Sequence, residues 1–561
     1  MKSSQDIEIG AKPKIKNISI SCIVIILSAC ILQGIIFGTM QFHSHPVCDE
    51  IFTYTLANTP YSYDYIDHMW KHLPKNNGWV DASVLKSNYE TDSTHRFDYS
   101  GVYWHQRIDN HPLLYYSLVH TLCSFIPDKW EPYTAEFINI AFIIGIDILI
   151  IMIFIYLTGN AETAVIPIIA TVLLKVCGNT ASLQRMYSGL AFWALWYLFL
   201  NIRMINEEDN KGRRFVEMIA VVFLGSQTHY YFYVYAASVT MFTLVFKIRK
   251  KQTVFIANYL MSGIIGLSLS YIIFPWTVWH IWFNQMNKHK DVRGWNGDKL
   301  KRYLDFMNKQ LFNGRGIIAL SVLSIMLVIC IVIVYRNRHI KGVHDTDLQT
   351  KYIIPDKYNH QTKSMIIGSA LIYSVIIFTL DEEVWYYMTC LYLPFIIFLS
   401  MEVLHGICII AGASNGRYSE NNRHITVLWI IAAAAVMVLI FGILPVKQMV
   451  SSRIKDYDEW KVFHDKVTSY SKDDCIYIEK NKDNLLSQLW FELGEYDEIK
   501  KETLEEYGNG VISEDFVKGR NTDNNLVLFV SDDAPAPKIS GFRNVKLVAS
   551  SGGMSCWEIK Q

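Results

Sequence analysis

The chain has 561 residues, of which 51% are hydrophobic and 19% are charged, and its 52 basic residues balance its 52 acidic ones. The apolar residues collect in blocks of about 20 with almost no charge inside, the length that crosses the roughly 30 Å hydrocarbon core of a bilayer. This pattern excludes a soluble enzyme, a fibrous or disordered chain and a disulfide-stapled secreted module, and the balanced charge gives no reason to expect a nucleic-acid partner.

Eleven segments are predicted to cross the membrane: 17–40, 134–157, 162–178, 186–202, 215–230, 231–246, 253–280, 316–335, 364–380, 385–405 and 424–446. Basic residues cluster in alternate short connections, which places those connections in the cytoplasm. The first span lacks a small-residue cleavage site, so it is predicted to be a retained anchor rather than a removed signal peptide. The sequence therefore predicts an all-α polytopic protein of the cell membrane.

Two long polar segments are predicted to lie outside the cytoplasm. Residues 41–133 form the first loop of a transmembrane domain at 1–446, and their apolar run LLYYSLVHTLCSFI predicts a helix lying in the membrane interface. Residues 447–561 contain CIYIEK, LLSQLWFEL, NLVLFVS, VKLVAS and CWEIK, which predict a small α/β domain. Cys475 and Cys556 lie on its first and last strands and are candidates for a disulfide in an oxidising compartment.

The first loop opens with HSHPVCDEIFTY, which places Asp49 and Glu50 just after the first span. No Lys or Arg lies within 20 positions of either, so no nearby charge neutralises them. Their apolar neighbours hold them near the membrane interface, where desolvation raises the pKa of a carboxyl group, as is common at functional sites. On a helix the two side chains would point about 100° apart and serve different roles. The alternative is an ordinary solvated loop start.

Further along the same loop, RIDNHPLLYY contains His111. Pro112 suits the first turn of a helix, and Asp109 or Asn110 suits its cap, so the alternative reading is a capped interfacial helix without chemistry.

Three later features carry charge or hydrogen-bonding groups at predicted outer membrane ends. Arg185 in SLQRMYSGL is costly there unless it reaches an anion, water or headgroups, and snorkelling alone would explain it. SQTHYYFYVY holds His229 and Tyr230, and an interfacial tyrosine belt is the alternative there. The loop 281–315 has a surplus of basic residues, including Arg293, that is expected to attract a lipid-borne phosphate unless the seventh span is threaded wrongly.

The charge rule places all of these residues on one membrane face. A cavity there would gather carboxylates, imidazoles and guanidinium, a set that suits group transfer from a phosphate-linked lipid. A carboxylate takes the acceptor proton, and cations stabilise the charge on the departing phosphate.

Four motifs in order, Asp-Glu after the first span, HPLLYY, RMY and THYY, resemble the glycosyltransferase C-type fold. The chain is similar to bacterial relatives of the dolichyl-phosphate-mannose protein mannosyltransferases (glycosyltransferase family 39) and to lipid A aminoarabinose transferases. The resemblance runs over about residues 20 to 245, weakens to about 405 and is absent from the C-terminal domain. It implies a polyprenyl-phosphate-linked sugar donor and transfer outside the cytoplasm.

The resemblance also implies roles for single residues. Asp49 matches the catalytic carboxylate, Glu50 its companion, and His111 and Tyr115 the segment near the donor, with Leu113 in place of a second Pro. Arg185 matches the family's Arg-x-Tyr segment.

Two positions depart from the family pattern. Leu183 stands where the family often has Glu, and WYY at 385–387 stands where it commonly has Arg-Tyr. We therefore expect phosphate contact to shift toward the basic loop, to Arg293, with His229 and Tyr230 also at the donor.

The leading hypothesis is a membrane glycosyltransferase in which Asp49 assists the acceptor hydroxyl; the acceptor is a glycan, a lipid or a protein. A transporter is the first alternative, and it would need ionisable residues at mid-membrane, where only Lys175 comes close. A metal-dependent enzyme built on His43, His45, Asp49, His105 and His111 is the second. No cofactor is required by the sequence, and a divalent metal remains compatible with the leading hypothesis.

Overall fold

The computed structural model describes residues 48–61, 78–129, 134–207, 212–281, 297–341, 357–380, 389–415, 423–479, 489–503, 511–512, 525–531, 537–539, 544–551 and 554–560, with scattered helical residues between 23 and 34. The chain divides into two compact units. The first comprises Met1–Phe37, Ile140–Ala181 and Tyr187–Lys447, and the second comprises Gly38–Asn139, Ser182–Met186 and Gln448–Gln561.

Helices dominate the described residues. In chain order they are α1 (Cys48–Asn58), α2 (Ser83–Tyr89), α3 (Ser100–Ile108), α4 (Leu114–Cys123), α5 (Thr134–Thr158), α6 (Val165–Leu173), α7 (Lys175–Ser182), α8 (Tyr187–Asn206), α9 (Gly212–Ser226), α10 (Tyr231–Arg249), α11 (Thr253–Ile273), α12 (Trp276–Trp279), α13 (Gly297–Leu311), α14 (Gly316–Lys341), α15 (His360–Leu380), α16 (Thr389–Asn415), α17 (Arg423–Met437), α18 (Ile443–Thr468) and α19 (Trp490–Leu493).

Seven of the described helices are long and apolar enough to cross a membrane. Their apolar stretches are Thr134–Thr158, Tyr187–Asn206, Tyr231–Arg249, Thr253–Ile273, Gly316–Ile333, His360–Thr379 and Thr389–Ile410. Two further pieces, Ala161–Leu173 and Val176–Ser182, meet at 64° and together make an eighth candidate. The chain is therefore a membrane protein with many crossings.

The remaining predicted spans differ from the structure or lie largely outside it. Predicted span 215–230 corresponds to α9, whose 15 residues rise only about 22 Å, short of a roughly 30 Å hydrocarbon core. The helix ends at Ser226, and residues 227–230 form the turn before α10. Predicted span 424–446 has a continuous apolar stretch only at Val427–Ile440. Most of 17–40 lies outside the described residues.

One intramembrane carboxyl group escaped the sequence analysis. Asp147 lies in the middle of α5 and is buried, and its carboxyl is hydrogen-bonded to the side chains of Gln33 and Thr171. The expectation that only Lys175 comes close to mid-membrane is therefore wrong.

The second unit contains a six-stranded sheet with the order β1-β3-β2-β5-β8-β7. The strands in chain order are β1 (Trp79–Asp81), β2 (Asp474–Glu479), β3 (Glu498–Thr503), β4 (Val511–Ile512), β5 (Leu526–Ser531), β6 (Lys538–Ile539), β7 (Asn544–Ser551) and β8 (Met554–Lys560). β2 is parallel to β3 and β5, whereas β8 is antiparallel to β5 and β7. The short strands β4 and β6 pair separately.

Four of the strands fall on the predicted segments, and together with the membrane helices they confirm the predicted fold class. β5 lies in the middle of the sheet between β2 and β8, and all six of its residues are buried, as expected of a strand covered on both faces. β3 was missed because its sequence EIKKET carries charge at four of six positions. Of the segment LLSQLWFEL, the described helix covers only Trp490–Leu493.

The edge strand β1 was also missed, and it comes from the first long loop rather than from the C-terminal region. It pairs antiparallel with β3, Val80 opposite Ile499, and Trp79 packs into the apolar core of the sheet with Ile476 and Leu528. The assignment of 1–446 and 447–561 as separate domains stays a prediction, although the sheet itself uses residues from both ranges.

The proposed disulfide between Cys475 and Cys556 is wrong, because both thiols are free and buried. The sheet order explains this. Cys475 on β2 pairs with Val527 of β5, and Cys556 on β8 pairs with Phe529 of the same strand. Two strands that flank a third lie roughly 9–10 Å apart, beyond the roughly 7 Å that a disulfide can bridge between Cα atoms.

Candidate active site

Asp49 and Glu50 lie in the first turn of α1, in the second unit. Consecutive helical residues point in different directions, and here the Asp49 side chain is 50% exposed while Glu50 is only 1% exposed. The amino-terminal end of a helix carries partial positive charge and favours both carboxylates. The two acids therefore differ in access: Asp49 reaches the surface, and Glu50 points into the protein.

Arg185 connects to the same turn of α1. Its Nη1 donates hydrogen bonds to the backbone oxygen of Asp49 at 3.1 Å and to the hydroxyl oxygens of Tyr116 and Thr53 at 3.2 and 3.4 Å. Its Nε lies 3.8 Å from Oδ2 of Asp49, and its side chain is 6% exposed. The snorkelling alternative is therefore wrong, since the guanidinium is turned inward onto Asp49.

The short segment that carries Arg185 is held by polar side chains. The backbone N–H of Gln184 donates to Oε1 of Glu50 at 3.1 Å, and the carbonyl oxygen of Gln184 accepts from the Thr53 hydroxyl at 2.9 Å. Asn139 Nδ2 donates to the carbonyl of Leu183 at 2.6 Å. Glu50 therefore fixes the backbone from which Arg185 reaches Asp49.

Glu136 adds a further carboxyl group to this buried layer. Gln184 Nε2 donates to its Oε1 at 3.1 Å, and Glu136 is 3% exposed. Sequence analysis missed Glu136, Gln184 and Thr53. The available signal was weak: Gln184 is simply the residue before Arg185, and Glu136 begins a predicted span.

His111 forms an ion pair with Asp109, with Nδ1 2.5 Å from Oδ2. Burial alone would raise the pKa of the Asp109 carboxyl, but the His111 charge and hydrogen bond, and then the Arg185 charge, lower it to about 2. The predicted helix cap is therefore wrong: α4 begins at Leu114 without a side-chain cap, and Asp109 binds the imidazole instead. Asp109 also brings the imidazole toward Arg185.

Tyr115 and its neighbour Tyr116 have different surroundings. Tyr115 is fully buried and its hydroxyl donates to Oδ1 of Asn139 at 3.2 Å, which supports the segment around Leu183 only indirectly. Tyr116 is the tyrosine that contacts Arg185, and its ring lies 6.1 Å from that of His111. A role for Tyr115 at the donor stays a prediction, and Tyr116 was missed because the two tyrosines are adjacent.

The other predicted site residues lie in the first unit or outside the described residues. The Tyr230 hydroxyl and His280 Nδ1 are 2.7 Å apart. His229 accepts a hydrogen bond from the backbone N–H of Tyr231 at 3.1 Å and lies 5.8 Å, ring to ring, from Tyr187. Arg293 lies outside the described residues. The structure thus brings together Asp49, Glu50, His111 and Arg185 in the second unit, and it describes His229 and Tyr230 in the first unit.

The histidines considered as metal ligands are only partly described. His105 is buried, with Nε2 3.1 Å from the carbonyl oxygen of Thr59, and His111 is engaged with Asp109. His43 and His45 lie outside the described residues. Among the described residues there is no group of three His, Cys, Asp or Glu side chains that could hold a metal ion.

Taken together, this cluster offers an accessible carboxylate beside a buried cation. The Arg185 guanidinium fixes the orientation of Asp49 through the backbone and lies near its carboxylate. Such a carboxylate can accept a proton from a hydroxyl group that approaches from the surface.

Comparison with known proteins adds the following. No protein-family model matches the chain, and no curated protein sequence matches it. Among solved structures, it is similar to ArnT from Cupriavidus metallidurans bound to undecaprenyl phosphate, at 11% identity over 96% of this chain and 98% of that chain, with a TM-score of 0.47. For the apo state of ArnT the identity is 10%, the coverage 96% and 97%, and the TM-score 0.45.

The chain is also similar to the archaeal oligosaccharyltransferase AglB from Archaeoglobus fulgidus in complex with an inhibitory peptide and a dolichol-phosphate. The identity is 10%, the coverage is 85% of this chain and 64% of that chain, and the TM-score is 0.38. These neighbours are members of the glycosyltransferase C-type fold, the class that the four motifs resemble. At such low identities, neither substrate nor residue roles follow from the likeness.

Proposed function

We propose that this chain is a membrane glycosyltransferase that moves a sugar from a polyprenyl-phosphate-linked donor to an acceptor on the extracytoplasmic face. The observation that carries the proposal is the half-exposed carboxylate of Asp49, held 3.8 Å from the buried guanidinium of Arg185. The ordered motifs of the sequence supply the donor class, and the membrane helices agree with a lipid-linked substrate.

In the proposed reaction, the acceptor hydroxyl oxygen forms a bond to the anomeric carbon while the bond from that carbon to the phosphate oxygen breaks. Asp49 accepts the proton of the hydroxyl, and the bonding electrons leave with polyprenyl phosphate. A single displacement of this kind inverts the anomeric configuration. Cations and imidazole near Asp49 stabilise the negative charge that develops on the phosphate.

Arg185 and Glu50 have supporting roles in this proposal. Arg185 orients Asp49, and Glu50 holds the Gln184 backbone that positions Arg185. His111, held by Asp109, has its ring 6.1 Å from that of Tyr116, and its proposed role is to contact the donor phosphate. His229, Tyr230, Tyr115 and Arg293 are kept as proposed donor contacts. The acceptor, whether glycan, lipid or protein, and the sugar are not specified by these residues.

The proposed location follows from the distribution of basic residues in the sequence. The active site and the C-terminal α/β region would lie outside the cytoplasm, and α1 would begin at the outer membrane surface. Cysteine labelling with a membrane-impermeant reagent at single positions in 90–100 and in β7 tests this arrangement. Labelling at these positions only after the membrane is opened would contradict it.

The test of the activity is Asp49→Asn, measured by release of polyprenyl phosphate from a panel of undecaprenyl-phosphate sugars in the presence of membrane extract. Asp458→Asn is the matched control, because Asp458 is an exposed carboxylate on α18. We expect the first variant to lose at least about 100-fold in turnover, the typical contribution of a general base, and the control to lose none. Full turnover in Asp49→Asn would refute the assignment, and sugar flux without a covalent product would favour the transporter.

A further inference from the structure

A group of basic side chains surrounds an aromatic pair at one end of the helices of the first unit. The pair is Tyr156, at the end of α5, and Phe199, in the last two turns of α8, with ring centroids 5.9 Å apart. Lys357 Nζ lies 4.1 Å from the centroid of the Tyr156 ring, and Arg203 Cζ lies 5.5 Å from that of Phe199. Arg214, near the start of α9, adds a third cation, because its charge acts on Tyr156 together with that of Arg203.

Hydrogen bonds between helices hold this arrangement. Asn206, the last residue of α8, donates through Nδ2 to the Thr362 hydroxyl at 2.9 Å and accepts from Asn359 Nδ2 at 2.9 Å. The Thr362 hydroxyl in turn donates to the backbone oxygen of Lys357 at 2.7 Å. These hydrogen bonds hold the backbone of Lys357 beside the end of α8.

The cations are only partly neutralised by the described part of the chain. Arg214 forms an ion pair with Glu207. Arg203 and Lys357 make no ion pair among the described residues. Each lies against an aromatic ring, and this cation–π contact offsets a small part of the free-energy cost of partly burying the charge. Burial, and then the nearby Arg203 charge, lower the pKa of Lys357.

The Tyr156 hydroxyl lies in the same cluster. Its oxygen is buried and has no hydrogen-bond partner within the described ranges. A buried hydroxyl that makes no hydrogen bond costs free energy, as does crowding of like charges, and an oxyanion at this position would relieve both.

We propose that Arg203, Lys357 and Tyr156 form a binding site for a phosphate group, carried by an anionic lipid or by a soluble phosphate compound. Arg presents planar donors that match phosphate oxygens, Lys adds a point charge, and the tyrosine hydroxyl adds a neutral donor. The site lies where α5 and α8 end, at the membrane surface that the distribution of basic residues predicts to be cytoplasmic, where lipid headgroups are available.

The test uses the full chain in a neutral detergent, with thermal unfolding followed as phosphatidylglycerol, phosphatidylcholine or inorganic phosphate is added. We expect phosphatidylglycerol to raise the melting temperature and phosphatidylcholine to leave it unchanged. Each cation near an anionic headgroup contributes about fivefold in affinity, so the double variant Arg203→Gln with Lys357→Gln should bind about 30-fold more weakly.

The matched control removes the same charge elsewhere, with Lys250→Gln and Lys251→Gln at the exposed end of α10. An equal loss in both double variants would show diffuse attraction and overturn the proposal, as would the absence of any stabilisation of the unmodified protein. Protection by inorganic phosphate equal to that by phosphatidylglycerol would support the site and identify a soluble ligand. Should the double variant fail to fold, Tyr156→Phe should weaken binding about fivefold, and unchanged binding there would refute the geometry.

Discussion

Replacing Glu50 separates a positioning role from a catalytic one. Its Oε1 accepts the backbone N–H of Gln184, so Glu50→Ala removes a hydrogen bond between a charged acceptor and a buried donor. Such a bond stabilises by about 1.5–3 kcal/mol. Its loss should therefore raise the ratio of open to hydrogen-bonded states of the segment around Gln184 by about 10- to 150-fold. Glu50→Gln retains an acceptor oxygen at the same place and should retain most of that population.

Hydrogen exchange of the peptide that contains Gln184 measures this effect without any assay of activity. We expect the Gln184 amide to exchange about 10- to 150-fold faster in Glu50→Ala than in the unmodified chain, and to change little in Glu50→Gln. Turnover with the panel of undecaprenyl-phosphate sugars should fall in parallel, because a displaced Arg185 no longer orients Asp49. Equal loss in both variants with unchanged exchange would refute the positioning role and favour a direct catalytic role for the Glu50 charge.

Three further outcomes are expected. Tyr116→Phe removes a hydrogen-bond acceptor of the Arg185 guanidinium and should lower turnover about fivefold. Tyr115→Phe removes a hydrogen bond to Asn139, so it should lower the melting temperature and leave turnover unchanged. The reverse pattern would contradict the placement of the two hydroxyls. The folded pKa of Asp109 is about 2 and its unfolded pKa is about 3.9, a difference that corresponds to about 2.6 kcal/mol of stability. This stability is present above pH about 5 and should be lost as the pH falls toward 2, and acid titration of Asp109→Asn should lack the loss. Trp79→Ala should destabilise the sheet by about 3–5 kcal/mol and open the region of β1 to protease, and a protease pattern like that of the unmodified chain would show that β1 is dispensable.

The membrane architecture was predictable because it rests on local composition. Apolar runs long enough to cross a bilayer can be recognised from local sequence alone. Strands such as β5 can be recognised in the same way, because every residue is apolar or small. The failures have the opposite cause. β1 and β3 carry only weak local signals, since β1 has three residues and β3 is largely charged. Each is a strand because of its partners in the sheet: β1 pairs with β3, and β3 pairs with both β1 and β2.

The candidate site was predictable in part for the same reason. Asp49 and Arg185 attract notice because a charge beside a membrane span is costly and stands out in the sequence. Glu136 does not, because its place in the site depends on Gln184, which lies 48 positions further along the chain and reaches it only in the fold. The sequence pattern at Asp109 favours a helix cap, but the helix begins at Leu114 without one, and Asp109 pairs with His111 in the loop before it.

The pairing of β1 with β3 has a consequence for how the protein is made. The partner of Val80 is synthesised several hundred residues later, after the last membrane helix has emerged from the ribosome. Until then the early strand has an open edge, so it must be shielded by a chaperone or by its own neighbours during biogenesis. A chain truncated after the last membrane helix would lack β3, so the edge of β1 would stay unpaired. Such an exposed edge is a feature that chaperones and proteases can bind.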